Sequence, residues 1–351
     1  MAQAPENQAA WLPAAQATPL EVGPAPYTPP GPGQLVIKNS AVGINPVDHN
    51  KQRLGDAFLP HVRYPIVQGE DVAGTVVEVG EGVTRFKVGD RVLAVCCVIP
   101  TNNAAEGAFQ RYTVVREWLT TPLPKNISFE QACVLPLALL TASVGLFGTD
   151  YLALDLPVLP KPHTKDRVVI VTGGASAVGG TAIQLTVAAG YEVVSTASPK
   201  NFEHVKRLGA SHVFDYNSAT IADDLLAAVK GKHLCGAYSI GDGTADVLAK
   251  VLTSHEGQGK TCMTIARAEG SHNVDENSGV DVKFILAGPS FIGQDTPLRP
   301  IFADYLPCAL EEGSFVPAPE PMVVGKGLDK IQEAYEVHRK GVSAKKVVVT
   351  L

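Results

Sequence analysis

The sequence predicts an α/β protein with two domains, a small β-barrel domain and a doubly wound parallel-sheet domain. Three observations support this fold class: a β-branched run, a glycine-rich turn and an apolar helix over 168–190; an alternation of strands and helices after it; and short strands separated by Gly and Asp turns over 34–115. A length of 351 residues fits two domains.

The segment 168–190 is typical of the first βαβ unit of a Rossmann dinucleotide-binding domain. Its β-branched residues suit a strand buried on both faces of a parallel sheet, and the helix that follows ends at Gly190. A helix N-terminus presents free N–H groups and partial positive charge to a pyrophosphate. The sequence therefore predicts a nucleotide cofactor at this turn.

The second strand, over 191–196, indicates which cofactor. NAD sites place an Asp or Glu near the end of this strand, and none stands here. Thr196, Ser198 and Lys200 instead supply hydroxyls and a cation, which suit a 2′-phosphate and favour NADPH. Pro199 also fits a turn that begins a helix, and both interpretations can hold together.

The first domain is predicted from its strands. The first 30 residues, rich in Pro and Ala, read as an arm with one strand. Ser128 and Gln131 have capping-box spacing, which predicts a helix start. Strands are expected over 35–38, 74–80, 91–95 and 109–115.

The second half of the chain predicts the remaining elements. A proline-rich connector covers 155–165. We assign residues 1–150 and 310–351 to the barrel domain and 151–309 to the nucleotide domain. Further strands are expected over 212–216, 237–240, 261–264 and 346–351, and a helix over 327–340.

Composition excludes several classes of function. A net charge of −6 without long charge runs gives no basis for a nucleic-acid or membrane surface. No apolar stretch is expected to approach the roughly 18 residues of a membrane span. The N-terminus lacks a signal-peptide pattern, and six cysteines do not form a disulfide scaffold. These features predict a cytoplasmic protein.

Seven motifs, in order along nearly the whole chain, resemble the medium-chain dehydrogenase/reductase superfamily in its zinc-free, quinone-oxidoreductase-like branch. They are the segments 45–48, 68–76, 88–92, 107–109, 135–142, 172–180 and 208–210. The resemblance implies a GroES-like barrel domain beside the Rossmann domain.

Finer features are similar to fungal trans-acting polyketide enoyl reductases of the lovastatin-pathway type. These are the proline-rich connector, Ser176 where relatives carry Gly, the segment 198–202 and the ending 340–343. The resemblance implies an NADPH-dependent reductase that works with a polyketide synthase, in which hydride passes to the β-carbon of an α,β-unsaturated thioester. It also favours a monomer, although other relatives dimerise.

The resemblance also implies site residues. Thr141 and Asn50 would lie beside the nicotinamide and substrate, the latter in the position of a family lysine. The residues implied to contact the cofactor are Val47, Asp48, His49, Asn50, Ala175, Ser176, Ala177, Val178, Ser198, Pro199, Lys200, Asn201, Tyr216, Leu286, Ala287, Gly288, Pro289, Ser290 and Ser343.

Asn50 is a departure from the family pattern Asn-Pro-x-Asp-x-Lys, because the lysine comes one residue later, at 51. Asn can donate a hydrogen bond but carries no charge. If the segment is extended, Lys51 faces the opposite side. Either Asn50 or solvent then donates to the substrate, or the chemistry is not a reduction.

No zinc site is expected. Zinc needs three or four ligands, and Cys96 and Cys97 stand as an adjacent pair, which we read as part of a buried strand. Cys133, Cys235, Cys262 and Cys308 read as small core residues. Asp48 fits either an acid/base group or a cap, His49 fits either the cofactor cleft or the surface, and His61 fits a surface loop.

Three functions remain open from the sequence. The first is the NADPH-dependent enoyl reductase, and the second is a quinone or small-enone reductase with the same cofactor. The third is a non-redox member that catalyses an isomerisation or only binds NADPH, which the Asn50 departure keeps open. The sequence does not specify substrate length or stereochemistry.

Overall fold

The computed structural model describes residues 5–163, 166–256, 259, 261–266, 273–285 and 288–351. Contacts divide the chain into unit 1, Met1–Leu137 with Gly288–Leu351, and unit 2, Ala138–Ala287. The sequence-derived boundaries at residues 150 and 310 thus differ from the positions at which these units change.

The strands are β1 Asn7–Leu12, β2 Glu21–Ala25, β3 Gln34–Gly43, β4 Ile66–Val67, β5 Asp71–Val79, β6 Arg91–Val95, β7 Tyr112–Arg116, β8 Thr120–Pro122, β9 Arg167–Val171, β10 Glu192–Ala197, β11 His212–Asp215, β12 His233–Ser239, β13 Cys262–Ile265, β14 Asp281–Phe284, β15 Glu320–Lys326 and β16 Lys345–Thr350. The α-helices are α1 Pro46–Leu54, α2 Val98–Thr101, α3 Phe129–Ala132, α4 Pro136–Phe147, α5 Ala177–Ala188, α6 Phe202–Arg207, α7 Ile221–Val229, α8 Thr244–Ser254, α9 Pro289–Ile292, α10 Leu306–Glu312 and α11 Ile331–Arg339.

Unit 1 is built on a seven-stranded sheet in the order β15-β16-β3-β5-β6-β8, with β7 also paired to β3. β15 and β16 are parallel, and the other pairs are antiparallel. β1, β2 and β4 form a second, antiparallel sheet. Apolar side chains of these strands pack around Tyr335 of α11 in one core.

Unit 2 is a parallel six-stranded sheet in the order β11-β10-β9-β12-β13-β14. The order reverses between β10 and β12 around the central β9, as in doubly wound folds. Four of the five residues of β9 are buried, which explains its β-branched composition. α7 and α8 pack on the sheet through Leu225 and Leu248.

The α/β fold class is confirmed, and several element predictions hold. The Ser128–Gln131 capping box is present, with both reciprocal hydrogen bonds. The strand at 91–95 has the predicted bounds. The prediction of one strand in the N-terminal arm was wrong, because the arm contains two paired strands, β1 and β2. Pro24 is exposed on β2, an edge strand, where proline is tolerated.

The expectation that no apolar stretch approaches membrane length was also wrong. The helical segment Phe129–Phe147 is long and apolar enough by composition to span a membrane. However, 72% of its 18-residue window is buried inside the protein, as in the core helix of a globular fold. Its hydrophobicity is therefore accounted for by internal packing.

Candidate functional site

The glycine-rich turn after β9 leads directly into the N-terminus of α5. Ser176 is the N-cap of α5, its Oγ accepting from the Gly179 N–H at 3.0 Å and donating to the Gly173 carbonyl at 2.8 Å. A Cβ at Gly179 would lie 2.2 Å from that carbonyl oxygen, so only glycine allows this close approach. The predicted contact residues Ala175 to Val178 are partly exposed here, at the positive end of the helix dipole.

The predicted 2′-phosphate residues follow two neighbouring strands, with Ser198 to Asn201 after β10 and Tyr216 after β11. Pro199, Lys200 and Tyr216 are exposed, while Ser198 and Asn201 are half-buried. The Asn201 amide donates to the Ser198 Oγ at 3.0 Å. This segment therefore offers an accessible ammonium, a hydroxyl and an amide, a donor set suited to a phosphate.

Thr196 was predicted to contribute a hydroxyl to this donor set, but in the structure it does not. It is 2% exposed, and its Oγ1 accepts from the Gly173 N–H at 3.2 Å. Its hydroxyl therefore holds the glycine turn against the end of β10. The sequence alone did not indicate that the Thr196 side chain is buried and hydrogen-bonded to the backbone.

A cavity of about 180 Å³ opens in unit 2 beside these residues. It lies at the carboxyl ends of the parallel strands, where ligands bind in doubly wound sheets. Of its lining, only Thr196 and Tyr216 were selected from the sequence, because the other residues come from separate loops and helices that only the fold brings together. The lining is Thr172, Thr196, Tyr216, Ile221, Leu225, Asp242, Gly243, Thr244 and Val247.

The predicted nicotinamide-side residues lie on a helix, so the extended reading of this segment was wrong. α1 begins at Pro46, a residue favoured at the first helical position, and Asn45 is its N-cap. Val47 and Asn50 are half-buried. The Asn50 Oδ1 accepts from Arg53 Nη2 at 3.4 Å. On a helix, neighbouring residues point about 100° apart rather than to opposite sides.

Lys51 is buried and closes the C-terminal end of α1. Its Nζ donates to the carbonyls of Gly55, Phe58 and Leu59 at 3.1, 3.2 and 3.1 Å. The ammonium also lies 4.8 Å from the ring centre of Tyr64. The Lys51 ammonium is therefore hydrogen-bonded to backbone carbonyls and does not act as a substrate-facing cation.

Asp48 serves as a cap at the start of α1. The sequence had left open whether Asp48 is a cap or an acid/base group. Its Oδ2 accepts from the Asn45 N–H at 2.8 Å. Its other carboxylate oxygen is buried without a hydrogen-bond partner among the described residues. Burial, opposed by the Asn45 hydrogen bond and assisted by Asp71, raises the pKa of Asp48 to about 7. Glu70 is likewise buried, and burial raises its pKa well above the usual range.

His49 is buried and pairs with His338 of α11. Nε2 of His49 lies 3.0 Å from Nδ1 of His338. Burial, together with nearby Arg339 and Arg53, lowers the pKa of His49 to about 4. Burial and His49 lower the pKa of His338 to about 4. The partner of His49 is thus another imidazole, which the sequence spacing did not suggest. His61 is exposed, as predicted.

The remaining predicted residues are placed separately. Thr141 is half-buried on α4, and its carbonyl accepts from the Tyr238 hydroxyl at 2.9 Å. Gly288 is the N-cap of α9, with Pro289 and Ser290 exposed in its first turn. Ser343 is exposed before β16. Leu286 and Ala287 lie outside the described residues.

The described histidine, cysteine and acidic side chains do not cluster into a metal site. Among residues 5–163, 166–256, 259, 261–266, 273–285 and 288–351, no group of three or more His, Cys, Asp or Glu is arranged to hold an ion. Cys96 and Cys97 are buried just after β6 rather than within it. Cys308 is exposed, so reading it as a core residue was wrong.

Comparisons with known proteins agree with this architecture. The alcohol dehydrogenase GroES-like domain family matches residues 31–125. The dehydrogenase pigH of Monascus ruber is 44% identical over 370 residues, covering 99% of this chain and 100% of pigH. The trans-enoyl reductase himH of Aspergillus japonicus is 36% identical over 350 residues, covering 98% and 97%. The mycobacterial Rv1454c structure, solved with NADPH, has a TM-score of 0.70 at 23% identity, covering 98% and 100%.

A parallel doubly wound sheet and a GroES-like domain on one chain define an oxidoreductase of the dehydrogenase/reductase class. The chain belongs to the medium-chain dehydrogenase/reductase superfamily and has trans-enoyl reductases among its relatives.

Proposed function

We propose that this protein is a cytoplasmic, NADPH-dependent trans-acting enoyl reductase that reduces an α,β-unsaturated thioester of polyketide type. The observation that carries the proposal is the 36% identity to the trans-enoyl reductase himH over 98% of the chain. The glycine turn and the phosphate donor set supply independent physical support. A carrier-bound substrate makes a polyketide synthase the expected partner, and we expect a monomer.

Unit 2 offers the residues that would hold the cofactor. The α5 N-terminus after Ser176 would face the pyrophosphate, and Ser198, Lys200 and Asn201 would hold the 2′-phosphate. NADPH supplies a hydride from its nicotinamide C4 to the substrate β-carbon when it is bound. The similarity of the fold to Rv1454c, which was solved with NADPH, supports this choice of nucleotide.

Asn50 and Thr141 are proposed to position the substrate. As hydride arrives at the β-carbon, negative charge develops on the thioester oxygen and requires a donor. The Asn50 amide can donate without carrying charge, and its Oδ1 is held by Arg53. Solvent then protonates the α-carbon. The protein's main contribution is alignment of the two carbons within about 3–3.5 Å.

Absorbance of NADPH tests the proposal directly. We expect oxidation with an α,β-unsaturated thioester, faster when the acyl group is tethered to a carrier protein, and transfer of deuterium from C4 to the β-carbon. Equal rates with untethered enones or quinones would support the small-enone reductase instead. NADPH binding without oxidation by any acceptor would support the non-redox alternative, which Asn50 favours because it removes a charge.

The glycine turn offers a matched control for the cofactor site. Gly179→Ala places a Cβ 2.2 Å from a backbone carbonyl and should abolish NADPH binding. In Gly180→Ala the new Cβ meets Leu208 Cδ1 at 2.9 Å, the end of a flexible side chain, so binding should largely remain. Equal binding by both variants would remove this turn from the proposed site.

A further inference from the structure

A buried ion pair in unit 1 lies where three elements meet. The Nζ of Lys346 on β16 lies 2.8 Å from Oδ2 of Asp71, the first residue of β5. Their side chains are 6% and 0% exposed. The pair is thus removed from solvent, and its charges depend on each other and on their hydrogen-bond partners.

The pair also binds the N-terminus of α1. The Asn45 amide donates to Asp71 Oδ2 at 2.8 Å, and Lys346 Nζ donates to the Asn45 Oδ1. Asn45 is the N-cap of α1, so both charges act on the residue that begins this helix. The three side chains form a closed triangle, which fixes the Asn45 amide in one orientation.

The second carboxylate oxygen of Asp71 binds a different helix. Its Oδ1 accepts from the Leu137 N–H at 2.6 Å, in the first turn of α4. Gly43 makes room for the carboxylate, since a Cβ there would lie 2.8 Å from Asp71 Oδ2. One buried carboxylate therefore binds the N-cap residue of α1, the helix that carries Asn50, and the first turn of α4, the helix that carries Thr141.

We propose that Asp71 and Lys346 are positioning residues for the reductase site, and that their ion pair fixes the first turns of α1 and α4. The inference rests on the proposed function, because Asn50 and Thr141 are its proposed substrate-side residues. Neither Asp71 nor Lys346 contacts the substrate in this proposal. Their effect is on the placement of two helices, where small displacements reduce turnover strongly.

The double variant Asp71→Asn/Lys346→Met tests the proposal. Replacing both charges avoids the uncompensated charge that a single replacement would leave, so we expect the protein to fold, with a melting temperature modestly below that of the parent because buried hydrogen bonds to Asn45 are lost. We expect kcat to fall about tenfold or more, because misplacement of about 1 Å can cost that much. The Kd for NADPH should be unchanged. A matched control is Lys345→Met/Glu320→Gln, which removes a neighbouring exposed pair and should leave kcat unchanged.

Amide hydrogen exchange gives a readout that is independent of turnover. Peptides covering 46–54 and 136–147 should exchange faster in the double variant, while the α11 peptide 331–339 should not change. Parental kcat together with parental exchange would overturn the proposal. If the parent reduces no acceptor, the proposed function fails, and exchange alone decides the positioning role, which unchanged protection of α1 and α4 would overturn.

A second variant tests the proposal if the double variant fails to fold. Lys346→Arg keeps the buried charge, but its planar fork cannot occupy the position of a compact ammonium between Asn45 and Asp71. We expect it to fold, with reduced kcat and faster exchange in α1. A folded Lys346→Arg protein with parental values of both would refute the positioning role.

Discussion

His49 Nε2 and His338 Nδ1 lie 3.0 Å apart, so a buried and a half-buried imidazole share one hydrogen bond between α1 and α11. One ring donates the shared proton and the other accepts it, and because both pKa values are lowered to about 4, both rings are neutral near pH 7. His49 is additionally surrounded by Arg53 and Arg339, with Glu336 in partial opposition, and Lys346 acts on His338.

This pair predicts acid sensitivity of the fold. Both pKa values drop from 6.5 to about 4 on folding, so between these values the unfolded chain binds protons that the folded chain does not. The free energy of unfolding should fall as the pH decreases through this window. His49→Gln/His338→Asn, which keeps hydrogen-bonding groups without titration, should lose less free energy of unfolding over the same pH range.

Urea denaturation at several pH values checks this prediction. Asp48 acts in the opposite direction, because its pKa is raised from 3.8 to about 7 and its folded, protonated form is favoured as the pH falls. That contribution is present in parent and variant alike and cancels in their difference. Parallel stability curves for the two proteins would contradict the prediction.

Lys51→Met should destabilise the protein. The change leaves three carbonyls without their charged donor at the end of α1. We expect a loss of about 2–4 kcal/mol in the free energy of unfolding. Lys87→Met serves as the control, because Lys87 is 84% exposed in its ion pair and should contribute little. Equal urea midpoints for the two variants would show that the Lys51 contacts contribute no stability.

Lys200→Ala should weaken NADPH binding by about 1–3 kcal/mol, the loss expected for a hydrogen bond to a charged group. NADH binding should hardly change, because NADH lacks the 2′-phosphate. The control is Lys206→Ala, which removes an exposed lysine paired with Glu203 nearby. Cofactor fluorescence titration measures the affinities of all three proteins for both cofactors, and equal affinity of the parent for both would end the claim of NADPH preference.

The purified protein should contain far less than one zinc per chain. Among the residues that the structure describes, no group of three or more His, Cys, Asp or Glu could hold an ion, and structural and catalytic zinc sites need three or four ligands. Elemental analysis measures the metal content, and chelator should leave the melting temperature unchanged. Stoichiometric zinc would place the protein in the zinc-dependent branch instead.

Asn50→Lys should raise the reduction rate modestly while keeping NADPH affinity. A preorganised donor beside developing negative charge can lower a barrier by about 2.7–4 kcal/mol, and a flexible lysine near Arg53 should give less. Stopped-flow measurement with an enoyl thioester gives the rate. An inactive Asn50→Lys variant of a rapidly reducing parent would show that Asn50 is not a weakened form of a catalytic lysine.

Local signals in the sequence account for much of the fold. The β-branched run of β9, the glycine turn and the Ser128 cap each act over a few residues, and each was predicted correctly. α1 was missed because Asn45 and Pro46 are typical of turns as well as of helix starts. Only the hydrogen bonds of the folded chain, including those of buried Lys51, show that this segment is a helix start rather than a turn.

The polar interior of unit 1 could not be predicted in the same way. Asn45 and Lys346, which hydrogen-bond to each other, are 301 residues apart in sequence. Thr196 carries a hydroxyl suited to a phosphate, but tertiary packing commits it to Gly173. A sequence indicates which groups are available, whereas the fold determines which of them already have partners.

The division of unit 1 into two chain segments has a consequence for biosynthesis. Unit 2 is continuous, so a ribosome completes it before β16 has been made. Until then the 41–43 end of β3 lacks its β16 partner, and Asp71 lacks Lys346. The nascent chain therefore carries an open sheet edge next to an acid that lacks its lysine, and the large sheet of unit 1 can be completed only late in translation, after unit 2 has had time to fold.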